Sequence, residues 1–225
     1  MKKGQKMRLL REEMVDRQLK KRGIRNKLVL DAFLTVPRHR FVPGDMQELA
    51  YRDGPLPIDE GQTISQPYIV AEMVEALNLV RDDEVLEVGT GSGYATAILS
   101  RIVKKVYSIE RFQLLAKKAE KLFQSLNYDN IEIEIGDGTK GWQKKAPFAG
   151  ILVSAAAPEI PEGLKLQLKK GGYLVVPVGD KNIQELLQIK YKGDDIYNEN
   201  SMGMVRFVPL VGEEGWKEVE EIAHE

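Results

Sequence analysis

The sequence predicts an α/β fold: a mainly parallel sheet with helices on both faces, closed by an antiparallel strand pair near the C-terminus. Three observations carry this expectation. From Glu84 onward, short β-rich runs alternate with helical ones, which is how βαβ units read in sequence. The first run empties into glycines at alternate positions, Gly89, Gly91 and Gly93, the mark of a tight strand-to-helix crossover. The last two runs have no helical segment between them, so they must return antiparallel.

In chain order, residues 1–80 read as a mostly helical region. Leu10, Met14 and Leu19 give a loose helical stripe, Leu28, Ala32 and Thr35 continue a second short helix to Pro37, and Ile69, Val70, Met73, Val74 and Leu77 mark a third after Pro67. Residues 81–210 hold the α/β core, with strands expected at 85–88, 106–110, 131–135, 150–154, 173–178, 186–191 and 205–210. A helix over 95–102 follows the glycines. Phe112, Leu115, Ala119, Leu122 and Leu126 recur at steps of three and four, which makes 111–126 amphipathic and helical. Residues 193–204 are expected to join the last two strands, and 211–225 to fray as an acidic tail.

A chain of 225 residues with 43% hydrophobic content can bury a real core, and its length favours one domain spanning 1–225. With 33 basic against 34 acidic residues, no global field draws it towards nucleic acid or a membrane. Residues 1–27 do hold eleven Lys/Arg against three Asp/Glu, which reads as a solvated helical face because aromatics are not interleaved. No apolar run approaches the roughly 20 residues that span a bilayer, and the first residues lead into charge; a cytoplasmic monomer is expected. The absence of cysteine excludes disulfides, thiolate metal sites and thiol nucleophiles. With only His39 and His224, a multi-histidine metal centre is excluded as well, and no metal is expected.

The chemistry gathers at strand ends. A dinucleotide fingerprint wants a glycine at its sixth position, but counting from Gly89 that residue is Tyr94 and from Gly91 it is Thr96. Glu110 ends the second strand nineteen residues beyond Gly91, where a carboxylate can accept both hydroxyls of a ribose. Its bland alternative is an exposed charge at a helix start. Gly136-Asp137-Gly138 follows the third strand, and Asp137 could face an adenine amino group or simply form a turn. Three such strand ends without the pyrophosphate fingerprint have the profile of S-adenosylmethionine enzymes. Pyrimidine C5 methylation is excluded for want of a cysteine, and Ser154-Ala155-Ala156-Ala157-Pro158 replaces the Pro-Pro-aromatic signature of amino-group methylation. A carboxylate acceptor, ionised at neutral pH, needs no general base.

At this point the residues resemble a specific family, protein-L-isoaspartate (D-aspartate) O-methyltransferase. The resemblance rests on Val36-Pro37-Arg38-His39-Arg40-Phe41-Val42-Pro43, Gly61-Gln62-Thr63-Ile64-Ser65-Gln66-Pro67, the turn 87–93, Gly136-Asp137-Gly138, the Ala155–Pro158 stretch and Arg206-Phe207-Val208-Pro209-Leu210. It implies an S-adenosylmethionine-dependent, Rossmann-like methyltransferase fold. It also implies methyl transfer to the free α-carboxylate of isoaspartyl residues in damaged proteins, followed by repair through a succinimide. The family's active-site serine falls on Ser65, and its cofactor contacts fall on Thr63, Gly89, Glu110, Asp137 and Gly138. Thr90, Gly91 and Gly93 of the turn, Arg111 beside Glu110, and Glu87 before the turn join the expected cofactor set. Read from the residues alone, Ser65 is as well placed to cap the helix after Pro67, Glu87 to brace the loop, and Arg38, His39 and Arg40 to be surface charge or to draw in a carboxylate. Two rival readings remain open at this stage: a methyltransferase for a small molecule or RNA base, and a non-catalytic adenosine-binding module.

Overall fold

The computed structural model describes residues 3–217. Helix α1 (Lys3–Met14) passes through a π turn, Val15–Leu19, and a 3₁₀ turn, Lys20–Arg22, and stops at Gly23, whose φ of 111° only glycine adopts freely. Helix α2 (Lys27–Thr35) starts on Asn26, whose side chain accepts from the Leu28 amide at 2.9 Å, and ends before Pro37. A small hairpin then interrupts the mostly helical region: β1 (Leu56–Pro57) pairs antiparallel with β2 (Thr63–Ile64). Strands of two residues are too short to register as alternation in sequence. Helix α3 (Pro67–Ala76) follows with proline at its first turn.

The parallel core comprises β3 (Glu84–Val88), α4 (Tyr94–Ser100), β4 (Lys105–Glu110), α5 (Gln113–Ser125), β5 (Ile131–Ile135), β6 (Phe148–Val153), α6 (Glu162–Lys165) and β7 (Leu168–Gly179). Strands β8 (Gln184–Gly193) and β9 (Ile196–Val205) complete one seven-stranded sheet of order β5-β4-β3-β6-β7-β8-β9. The first five of these neighbours run parallel, and β7, β8 and β9 pair antiparallel.

The order reverses at β3, with β4 on one side and β6 on the other, so the carboxyl ends of these strands open the crevice where such sheets bind ligands. Both faces are buried. Val85 of β3 joins one core together with α1 to α4, while Leu86 and Val88 join the other, under α6 and the 3₁₀ turns that flank Trp142.

The last strand falls earlier than the expected 205–210. Asp194 and Asp195, with φ of 52° and 57°, make a two-residue hairpin turn that returns the chain directly as Ile196–Val205. Asn198, Glu199, Asn200 and Ser201 hide this strand from a hydrophobic reading because it is an edge facing water. Residues 206–210 instead cross the carboxyl ends, with the Ala156 amide donating to Val208 O and the Leu210 amide to Ala156 O, each at 2.8 Å. The acidic segment that follows is built into the fold as far as Lys217; the rest of the expected tail, 218–225, lies outside the described residues. Among the described residues, no helix is long and apolar enough to cross a membrane.

Gly93 tests the packing of the crossover. Its φ is 83°, and a Cβ there would lie 2.6 Å from Cζ of buried Phe123 on α5. Gly93→Ala should lower the unfolding free energy by about 2–4 kcal/mol in urea denaturation, from backbone strain plus overpacking; a loss below about 0.5 kcal/mol would contradict the close approach.

Candidate active site

The cavity at the carboxyl ends of β3, β4 and β6 is built around the turn 89–93. Gly89 and Gly91 have φ of 91° and 53°, so the backbone turns without side chains and the cavity meets main chain. Gly93 does not line the cavity; it seats α4 against Phe123 and Ala119, a structural reason for a residue expected to touch the cofactor.

Glu110 stands opposite the turn and is only 4% exposed. Its Oε2 accepts from the Gly91 amide at 2.8 Å and its Oε1 from the Phe112 amide at 2.9 Å. It is therefore no exposed helix-start charge. A carboxylate offers about four lone-pair positions, so each oxygen retains one for a further donor. Two hydroxyls on adjacent carbons fit that arrangement.

Glu87, one strand away, is fully buried and also lines the cavity. Its Oε2 accepts from Thr96 Oγ1 on α4 and from Ser108 Oγ on β4 at 3.1 Å, and Ser108 Oγ is 2.6 Å from Thr90 Oγ1. Both Thr90 and Glu87 thus brace the turn. Burial pushes the Glu87 carboxyl up to about 8, with the hydrogen bonds from Thr96 and Ser108 opposing and the nearby Glu110 reinforcing. The group is a protonated acid at neutral pH, and its buried Oε1 has no hydrogen-bond partner among the described residues. An orphaned acid oxygen inside the crevice fits a polar ligand group there.

Thr63 and Ser65 reach the cavity from β2 and the residue after it. Ser65 does not cap α3. Gln66 is the cap residue and contributes no side-chain bond, while Ser65 lines the cavity and its hydroxyl makes no hydrogen bond to another described residue. Gly138 also lines the wall, packed so tightly that a Cβ would overlap Val88 Cγ1. Arg111 lies exposed at the rim with its guanidinium 4.9 Å from the Phe112 ring.

Asp137 is not in the main cavity but in an open cleft beside it, and the two share Arg111 and Val211. Its Oδ1 accepts from the amide and hydroxyl of Thr139, at 2.9 and 2.7 Å, and its Oδ2 from the Glu213 amide at 2.8 Å. These bonds seat Asp137 at the start of the 3₁₀ turn Gly138–Lys140.

Arg38, His39 and Arg40 stay away from the cavity. Arg38 is wholly buried rather than a surface charge: its Nε donates to Ala50 O at 2.7 Å and its guanidinium lies 4.8 Å from the Tyr94 ring. His39 Nδ1 meets Tyr51 Oη at 2.7 Å. Sequence reading missed Tyr94, whose ring closes the cavity floor against Phe33 and Phe41, and missed the wall formed by residues 207–211. A tyrosine in a helical pattern and an apolar run with a proline gave no signal that either faced a ligand. Among the described residues, no group of three His, Asp or Glu gathers to hold a metal.

Fold and cavity together define an S-adenosylmethionine-dependent methyltransferase: a doubly wound sheet, a glycine turn without the dinucleotide fingerprint, and a buried carboxylate at the end of the second parallel strand. Comparison with known proteins narrows this class. The family model described as "Protein-L-isoaspartate(D-aspartate) O-methyltransferase (PCMT)" matches residues 10–215. The protein-L-isoaspartate O-methyltransferase of Pelotomaculum thermopropionicum is 63% identical over 206 residues, 92% of this chain and 90% of the relative. That of Petrotoga mobilis is 55% identical, covering 90% of this chain and 96% of the relative.

A solved protein-L-isoaspartate O-methyltransferase superposes with a TM-score of 0.83 at 30% identity, over 91% of this chain and 67% of that one. A Plasmodium falciparum structure described under the same activity, in complex with S-adenosyl-L-homocysteine, gives 0.78 at 26% identity, over 89% and 98%. The chain belongs to the protein-L-isoaspartate (D-aspartate) O-methyltransferase family.

Glu87 carries a pH prediction. Its folded-state value near 8 lies above the ordinary 4.5, so between those values the folded chain holds a proton that the unfolded chain has lost, and stability falls as pH rises through the window. Glu87→Gln should flatten that fall, seen as a smaller difference in unfolding free energy between about pH 5 and about pH 8.5 than in the parent. An equal fall in both proteins would mean Glu87 is not protonated in the fold.

Proposed function

We propose that this chain transfers a methyl group from S-adenosylmethionine to the free α-carboxylate of L-isoaspartyl residues in damaged proteins and peptides, and so begins their repair through a succinimide. The observation that carries the reading is that Ser65, whose hydroxyl has no partner among the described residues, lines the same cavity as the Glu110 carboxylate. The first is a donor waiting for an oxyanion, the second an acceptor for sugar hydroxyls, and family membership supplies the substrates.

When bound, the cofactor supplies a methyl group on a sulfonium, open to in-line displacement. The residues of this chain hold and align. Glu110 grips the ribose, while Gly89 and Gly91 bring main chain to the ligand. Glu87, Thr90, Thr63, Gly138 and Arg111 complete the proposed cofactor wall, and Asp137 stands where the cavity meets the neighbouring cleft. Ser65 donates to the acceptor carboxylate and orients one oxygen along the attack line. No general base is required, because the acceptor is already ionised. The methyl ester can expel methoxide where the carboxylate would have to expel oxide, so the following amide nitrogen attacks the ester carbonyl and closes a succinimide, its proton leaving with the methoxide as methanol, and hydrolysis of that ring returns some normal aspartate.

The reading has the chain acting as a single unit, a monomer in the cytoplasm, with protein substrates and neither nucleic acid nor membrane as partner. Several basic residues of the N-terminal segment are tied to its own acids, as in Arg22–Asp53 at 3.0 Å and Lys6–Glu48 at 3.1 Å.

The decisive assay is labelled methyl transfer to an isoaspartyl peptide beside its normal aspartyl twin, with a D-aspartyl peptide as a third arm. Transfer to the isoaspartyl peptide alone, or to it and the D-aspartyl one, supports the reading; transfer to none sinks it. Ser65→Ala should lower kcat about 10- to 100-fold with S-adenosylhomocysteine affinity near that of the parent; unchanged turnover removes Ser65 from the mechanism. Glu110→Ala should weaken S-adenosylhomocysteine binding by about 1.5–3 kcal/mol in calorimetric titration, the value of charge-assisted hydrogen bonds, and equal affinity would rule that contact out.

A further inference from the structure

Five serine and threonine side chains line the cavity, and two of them are already engaged. Thr90 Oγ1 lies 2.6 Å from Ser108 Oγ, and Ser92 Oγ accepts from the Tyr94 amide at 3.3 Å. The hydroxyls of Thr63, Ser65 and Ser154 make no hydrogen bond to another described residue. Thr63 and Ser65 stand two residues apart on the hairpin, with buried Ile64 between them, so they belong to one wall. Ser154 belongs to another.

Ser154 follows β6 directly, and its amide donates to Val88 O at 2.8 Å, which ties its backbone to the end of β3. Its Cβ lies 3.5 Å from where a Cβ on Gly89 would stand, so the side chain is set beside the part of the turn that this glycine leaves bare. Ala155, Ala156 and Ala157 continue the chain as buried packing, which leaves half-buried Ser154 as the one polar side chain between β6 and Pro158.

The acceptor of the reaction proposed above is a carboxylate. Taken out of water it has about four lone-pair positions to satisfy, and a single hydroxyl leaves it short of donors and free to turn about that one bond. The carboxyls lining the cavity are engaged elsewhere: Glu110 accepts from two amides, and Glu87 lies fully buried beneath the turn with Thr96 and Ser108 bonded to it. Arg111 is exposed at the rim.

We propose that Ser154 donates a hydrogen bond to the acceptor carboxylate from the β6 wall while Ser65 donates from the hairpin, so that the carboxylate is fixed between two hydroxyls on different elements. One carboxylate oxygen then gives a lone pair to the methyl carbon as the carbon–sulfur bond breaks, its pair staying on sulfur. The products are the methyl ester and S-adenosylhomocysteine, and both serine protons stay where they are. Two bonds from separate walls remove the rotation that one bond allows, which is the alignment an in-line displacement needs. The inference rests on the activity and on the Ser65 role proposed above.

The test measures methyl transfer to an isoaspartyl peptide by the parent, Ser154→Ala, Ser154→Thr, Ser65→Ala and the Ser65→Ala/Ser154→Ala double variant, with calorimetric titration of S-adenosylhomocysteine and thermal unfolding for each. Ser154→Ala should lower kcat/KM for the peptide about 10- to 100-fold. Its S-adenosylhomocysteine affinity and unfolding temperature should stay near those of the parent, and Ser154→Thr, which keeps the hydroxyl, should recover most of the loss. The double variant should lose less than the product of the two single losses, because both hydroxyls act on one group. Parent-like kcat/KM in Ser154→Ala overturns the proposal. So does a loss matched by weaker S-adenosylhomocysteine binding, which would place the hydroxyl on the cofactor, and so does a double loss equal to the product. A parent that methylates no isoaspartyl peptide sinks the proposed function itself, before any variant is compared.

Discussion

One buried carboxylate between two backbone amides organises the site. Glu110 ends β4, yet it fixes the Gly91 amide across the crevice and the Phe112 amide at the entry to α5. Burying a carboxylate is costly unless it is hydrogen-bonded, and these amides meet that cost while pinning the two loops that flank the proposed nucleoside site. The glycine turn is thereby pinned to the end of β4. Glu87 lies beneath the same turn and answers the same burial by keeping its proton, bonded to Thr96 and Ser108. Two acids on adjacent strands are thus handled differently according to what surrounds each.

The acceptor side is carried by a separate element and brought in by packing. Ser65 follows a two-residue strand in a hairpin whose tip is tied to α5 by Lys118 and Asp59 at 2.8 Å, and Ile58 of that hairpin lies beside Gly91. Ser65 and the glycine turn are therefore neighbours because the hairpin folds over the crossover. Methyl transfer to a carboxylate asks for alignment and exclusion of water rather than proton transfer. A chain with no cysteine, and whose His39 does not line the cavity, suits such chemistry.

The regular parts were legible in the sequence because they obey short periods. The alternation of β and helical runs, the glycine turn and the spacing from Gly91 to Glu110 are local or nearly local, and the structure places them as read. What escaped is non-local or contrary to ordinary preference. Glu87 finds its partners at Thr96 and Ser108, on different elements, so its brace has no sequence pattern. Arg38 is buried although arginine is seldom so, because an aromatic ring and a carbonyl receive it. Strand β9 is polar because it is an edge. The segment 211–217 reads as a solvated acidic end, whereas its glycines and glutamates are used for close approach and anchoring.

The central claim is that a nucleoside spans the carboxyl rim with its sugar on Glu110 and its sulfur turned towards Ser65. A crystal structure of the chain with S-adenosylhomocysteine measures this directly. The account predicts both ribose hydroxyls within hydrogen-bond distance of the Glu110 oxygens and the sulfur on the Ser65 side of the cavity. A ligand whose sugar avoids Glu110, or whose sulfur points away from residues 63–65, would contradict it.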